Sequence, residues 1–75
     1  MTGRVVEIKS VKARYNETDY QIIVDGEVRE TLFNEPMSYV TAVAREYERY
    51  GMPKAKWLDM MISEGKIRPE DRWKY

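Results

Sequence analysis

The hydrophobic period of this chain changes once, between Phe33 and Met37, and that change decides what it can fold into. Before it, apolar and polar residues alternate at a period near two. After it, Val40, Val43, Ala44, Tyr47 and Tyr50 recur at helical spacing from Met37 onward, with Ser38, Thr41, Arg45, Glu48 and Arg49 on the other side. A run of strands followed by a run of helices predicts an α+β domain. The chain has 75 residues and no cysteine, so one small core must hold it without a disulfide or a thiolate-bound metal. Residues 1–75 read as a single globular domain with no internal repeat or linker.

Residues 4–15 read as a strand whose phase slips. Val6 and Ile8 fall on one parity and Val11, Ala13 and Tyr15 on the other, so a β-bulge near Lys9-Ser10 would restore one buried face. Asn16-Glu17-Thr18-Asp19 has the composition of a turn. Residues 20–24 and 27–33 read as two further strands joined at Asp25-Gly26, a strong hairpin signal. Two turn geometries compete there. A two-residue loop sets Ile22 opposite Arg29, whereas a three-residue loop with Gly26 left-handed sets Ile22 opposite Val28 and Thr18 opposite Leu32. The second gathers Ile22, Val28 and Leu32 on one face, and burial of that face favours it.

For the first helix, Asn34 or Glu35 suits the cap, Pro36 the first turn, and Gly51 the left-handed stop. Pro53 opens a second helix to Glu64, with Trp57, Leu58, Met61 and Ile62 on one arc and Gly65 as its stop. The expected architecture is β-β-β-α-α: a three-stranded antiparallel sheet followed by two helices packed on one face. A short C-terminal tail, in which Pro69 bars a long helix, docks at least one of its aromatics. Tyr47 and Trp57 lie at the centres of their stripes and are expected in the core.

Absence of both histidine and cysteine removes imidazole and thiolate chemistry, while two Trp, six Tyr and one Phe remain for recognition. The expectation is a non-enzymatic binding protein with no cofactor and no metal. Asp25, Glu27 and Glu30 crowd the hairpin, but a hairpin tip offers no dry pocket to shift their protonation, and nothing matches an Asp-rich, Gly-centred cation loop. The glycines at 3, 26, 51 and 65 are too scattered to cradle phosphate. No apolar run is long enough for a signal peptide or a membrane span, and the lack of cysteine suits a reducing compartment, so a cytoplasmic protein is expected.

Thirteen basic and thirteen acidic side chains give zero net charge, unevenly spread. Residues 1–18 carry four basic against two acidic (+2), residues 19–36 one against five (−4), and residues 52–75 six against four (+2). On a helical wheel Met60 falls among Lys56, Asp59, Ser63 and Glu64, and Tyr39 sits at the margin of its stripe near Glu46. Exposed Met and Tyr are adaptable contact residues. These features predict a small protein-binding module, a stoichiometric inhibitor or adaptor of phage or plasmid type. Tyr39 and Met60 would anchor it, and Asp19, Asp25, Glu27, Glu30 and Glu35 would face a basic groove on the partner.

The rival reading is DNA binding. A β-sheet reader would use Lys9, Lys12, Arg14 and Arg29, against which Glu7, Glu17, Glu27 and Glu30 share the same strands. Separately, Gly51-Met52-Pro53, Trp57-Leu58 and Gly65-Lys66-Ile67 resemble the second helix and the start of the wing in phage excisionase-type winged helices. Arg72-Trp73-Lys74-Tyr75 then stands where a wing strand would run. The resemblance covers residues 51–75, departs at bulky Tyr47 where a tight helix crossing wants a small residue, and implies contacts to DNA from Lys54, Lys56, Lys66 and Arg68.

Overall fold

A computed structural model describes residues 3–75; Met1 and Thr2 lie outside the described residues. The elements are β1 (Val6–Lys12), a 3-10 turn (Arg14–Asn16), β2 (Thr18–Val24), β3 (Glu27–Leu32), α1 (Met37–Tyr50), α2 (Lys54–Ser63) and a 3-10 segment (Pro69–Lys74). The strands form one antiparallel sheet in the order β1-β2-β3. The α+β architecture is the expected one, with α1 and α2 joined as two limbs of one bent helix.

The bulge is not where the sequence pattern placed it. β1 pairs with β2 without a break, from Val6 opposite Val24 to Lys12 opposite Thr18. The irregularity lies in β3, where Val24 faces Glu27 and Ile23 faces Val28, but Ile22 faces Glu30, leaving Arg29 as the extra residue. The turn is the two-residue Asp25-Gly26 loop with φ of 51° and 83°, the paired left-handed geometry whose twist suits a hairpin. Both expected pairings therefore fail: Ile22 faces neither Arg29 nor Val28, and Leu32 faces Tyr20 and not Thr18. The physical reason is a conflict between turn and core. A two-residue loop with no bulge would bring Thr31 opposite Tyr20 and carry Leu32 to the open face; one extra residue returns Leu32 to the buried face and leaves Val28 turned outward. The turn between β1 and β2 also differs from expectation, spanning 14–16 and not 16–19. Ala13 N–H donates to the Glu17 carbonyl at 2.9 Å, and Tyr15 and Asn16 are left-handed between them.

The core gathers Ile22 and Val24 of β2, Leu32 of β3, and Val40, Val43, Ala44 and Tyr47 of α1, with Val6 and Tyr20 packed at its margin. Full burial of an aliphatic side chain contributes about 1.5 to 3 kcal/mol, so the α1 stripe supplies most of what attaches the helix. Tyr47 is in the core as its periodicity implied. Trp57 is not: it is half-buried, its ring 4.7 Å from that of Tyr50 and 6.4 Å from that of Tyr75. Because α2 packs on α1, its apolar arc meets the end of α1 and the tail, and only Leu58 of that arc is buried.

The helix ends are held by groups distant in sequence. Pro36 itself occupies the N-cap position of α1 and no side chain caps it, so neither Asn34 nor Glu35 takes the expected role. At the other end Gly51 is left-handed (φ 78°) and its N–H donates to the Tyr47 carbonyl at 2.8 Å. Arg4 crosses that end and donates to the Glu48 carbonyl at 3.0 Å, a cation at the negative pole of the helix. The Glu46 carboxylate of α1 accepts the Lys54 N–H at 2.9 Å, satisfying a free donor at the start of α2. α2 ends in a Schellman motif about Gly65, with the Lys66 N–H on the Met61 carbonyl and the Gly65 N–H on that of Ile62. The tail docks Tyr75 against Trp57 and ties Arg72 to Asp59, while Trp73 stays exposed.

One deletion and one substitution test this construction. Without Arg29, Glu30 follows Val28 in a regular ladder, and Leu32 still reaches Tyr20; the deletion should lose no more than about 1 kcal/mol in urea unfolding. A loss of several kcal/mol would show that the bulge itself is required. Gly51→Ala should cost about 1 to 2 kcal/mol, because a side chain in the left-handed region is strained and its Cβ would come within 2.9 Å of the Arg4 guanidinium.

Candidate protein-binding corner

Three large apolar side chains stand in solvent within seven residues of chain where β3 gives way to α1. Leu32 is buried, so alternation sends Phe33 outward, where it is 70% exposed. Met37 and Tyr39, in the first turn of α1, are 49% and 48% exposed, and exposed Glu35 stands between them and Phe33 in the chain. The backbone of this corner is ordered by specific bonds. The Asn34 N–H donates to Asp19 Oδ1 at 3.2 Å, with Asn34 itself left-handed at φ 52°. The N–H groups of Tyr39 and Val40 both donate to the Pro36 carbonyl, at 3.0 and 3.1 Å. Apolar anchors held on a fixed backbone lose little freedom on binding, which is what an efficient contact surface needs.

The acidic residues singled out in the sequence do not share one surface. Asp25 forms the hairpin tip, where its carboxylate accepts the Val5 N–H at 2.9 Å and its own N–H donates to the Val5 carbonyl at 2.8 Å. Asp19 steadies the corner through Asn34 and, by alternation from buried Ile22, projects from the face of the sheet opposite α1. Glu30 projects toward the helix and accepts the Tyr47 hydroxyl at 2.8 Å. Glu27 pairs with Arg29 at 3.1 Å in solvent. Glu35 alone of the five lies within the corner, together with Tyr39. Met60 is half-buried and not exposed as its wheel position suggested, since a wheel shows which residues share a side of a helix but not how far the rest of the molecule covers that side.

The basic residues are also divided. Lys54 is half-buried and its ammonium donates to the Tyr75 carbonyl; Lys56 is exposed on the same turn of α2. Lys66 pairs with Glu64 at 3.1 Å, and Lys66 and Arg68 lie beyond the far end of α2, a helix of about 15 Å at 1.5 Å per residue. Residues 69–74 form 3-10 turns where the winged-helix resemblance placed a strand. A shallow depression of about 240 Å³ at the joint of the two helices is lined by Arg45, Glu46, Arg49, Tyr50 and Lys54, but Glu46 is already turned into it toward the Lys54 N–H. Sequence reasoning overlooked Phe33 and Met37. The signal for Phe33 was present: adjacent Leu32 and Phe33 on one strand cannot both face inward.

No protein-family model, curated protein or solved structure matches this chain.

The Tyr47 to Glu30 bond gives a test of how the buried face is wired. Burial, aided by the neighbouring Glu30 carboxylate, pushes the Tyr47 phenol up from 10.0 to about 12. The folded state thus holds the phenolic proton more tightly than the unfolded chain, so the stability this linkage gives is fully present below pH 10.0 and is lost as pH rises through about 12. Urea unfolding across that window should fall more steeply for the parent than for Tyr47→Phe. The variant should also lose about 0.5 to 1.5 kcal/mol at neutral pH. Identical alkaline slopes in both proteins would contradict the assignment.

Proposed function

We propose that this chain is a small, non-enzymatic, protein-binding module of the cytoplasm that acts stoichiometrically, as an inhibitor or adaptor of phage or plasmid type. Its docking surface is the β3 to α1 corner. The observation that carries this reading is the exposure of Phe33, Met37 and Tyr39 on a short, hydrogen-bonded stretch of chain. A single exposed apolar residue is ordinary, but aromatic and Met side chains exposed together within seven residues of ordered chain have the composition of an interface centre. The partner suited to it has an apolar pocket for Phe33 and Tyr39 and a basic rim for Glu35. The acidic segment from Asp19 to Glu35 steers approach, while affinity comes from the apolar anchors. Nothing in the placement of Lys54, Lys56, Lys66 and Arg68 favours a nucleic-acid surface over this one.

Phe33→Ala and Tyr39→Ala should each change folding stability by no more than about 0.5 kcal/mol. At least one should weaken capture of the native partner about tenfold, equivalent to roughly 1.4 kcal/mol. Glu35→Lys should chiefly slow association. Capture unaffected by all three, but abolished by Lys54→Ala with Lys56→Ala and by moderate salt, would overturn the proposal in favour of nucleic acid.

A further inference from the structure

β1 is an edge strand with one side of its ladder unused, and its sequence is complementary to itself in one antiparallel register. The bonds at its two ends show which groups are spent. Val5 exchanges with Asp25, and Ala13 donates to Glu17, so the odd-numbered residues between them direct their N–H and C=O groups toward β2. In an antiparallel ladder the intervening residues then point theirs the other way. Val6, Ile8, Ser10 and Lys12 therefore present their backbone groups along the open edge, and every residue from Glu7 to Lys12 is exposed.

We infer that this edge pairs with β1 of a second copy of the chain, across a two-fold axis through Ile8, to make one six-stranded antiparallel sheet with both α1 helices on the same face. The inference is independent of the Phe33 to Tyr39 corner. Ladder geometry admits only registers that set even-numbered residues opposite even-numbered ones, since these alone carry the open groups. Among the three registers centred on Glu7, Ile8 and Lys9, charge selects one. Centring the axis on Ile8 sets Glu7 opposite Lys9 of the second copy twice over, and Val5 opposite Val11 twice over, on the face away from the helices. Moving the axis one residue toward the N-terminus sets Glu7 against Glu7, and one residue the other way sets Lys9 against Lys9; like charges directly opposite are unfavourable. The Ile8 register also brings Ile8 against its own copy on the helix-covered face, where α1 leaves it 38% exposed. Its outermost pair, Arg4 and Lys12, is relieved because the Arg4 guanidinium is drawn onto the Glu48 carbonyl. Lysines on an edge strand ordinarily discourage pairing. Here the Ile8 register supplies each Lys9 with Glu7 of the other copy.

The test is sedimentation equilibrium of the full chain and of three variants, with circular dichroism to establish that each is folded. The parent should show a monomer–dimer equilibrium at concentrations up to about 1 mM, the weak range in which a short edge contact is measurable. Lys9→Glu and Glu7→Lys should each weaken the dimer at least about tenfold, and the double exchange of the two charges should restore it to within about threefold of the parent. A parent that stays monomeric throughout this range overturns the inference, as does a dimer indifferent to both single reversals or one that the double exchange fails to restore.

Discussion

Everything else in this molecule depends on the stripe of α1 lying over the inner face of β2. Ile22 from the strand and Val40 from the helix are the two large side chains removed entirely from solvent, and Val24, Leu32, Val43, Ala44 and Tyr47 close around them. A chain of 75 residues without a disulfide has little else to offset the conformational entropy of folding. The polar devices of the fold serve that contact. Tyr47 buries its ring and passes its hydroxyl to Glu30, so no buried side-chain polar atom among the described residues is left without a partner. Arg4 and Gly51 finish the helix at the point where the core ends.

The hairpin shows how far local and tertiary preferences can disagree before a chain must compromise. Asp25-Gly26 suits a two-residue loop, while burial of Leu32 needs a register that such a loop does not give; the extra residue at Arg29 reconciles them. The alternation of β1 also contains a phase slip, and there the chain resolves it by leaving Val11 outside, not by bulging. Which of two imperfect strands absorbs an irregularity is decided by the helix above the sheet, and that is a tertiary fact. Periodicity did identify three strands, two helices, the α1 stripe and the stops at Gly51 and Gly65, because those follow from backbone geometry and local composition. It misjudged Trp57, since centring on a helical arc says which side is apolar but not what that side meets.

The candidate surface was legible only in part. Tyr39 and Glu35 could be read from the margin of a helix and a charged turn, and both lie in the exposed corner. The other acidic residues are close in sequence, yet alternation along a strand sends neighbours to opposite faces, so Asp19 and Glu30 became a loop anchor and a partner for Tyr47. Spacing in sequence predicts proximity on a helix face far better than it predicts a shared surface around a hairpin.

β2 and α1 form the stable unit of the fold, and α2 with the tail is attached to it. Native-state hydrogen exchange under increasing urea measures this directly. The amides of Ile22, Val24, Val43, Ala44 and Tyr47 should exchange slowest and together, through global unfolding, while those of Leu58 to Ile62 should exchange at least about tenfold faster through a smaller opening. Equal protection of both helices, or faster exchange in β2 than in α2, would contradict it.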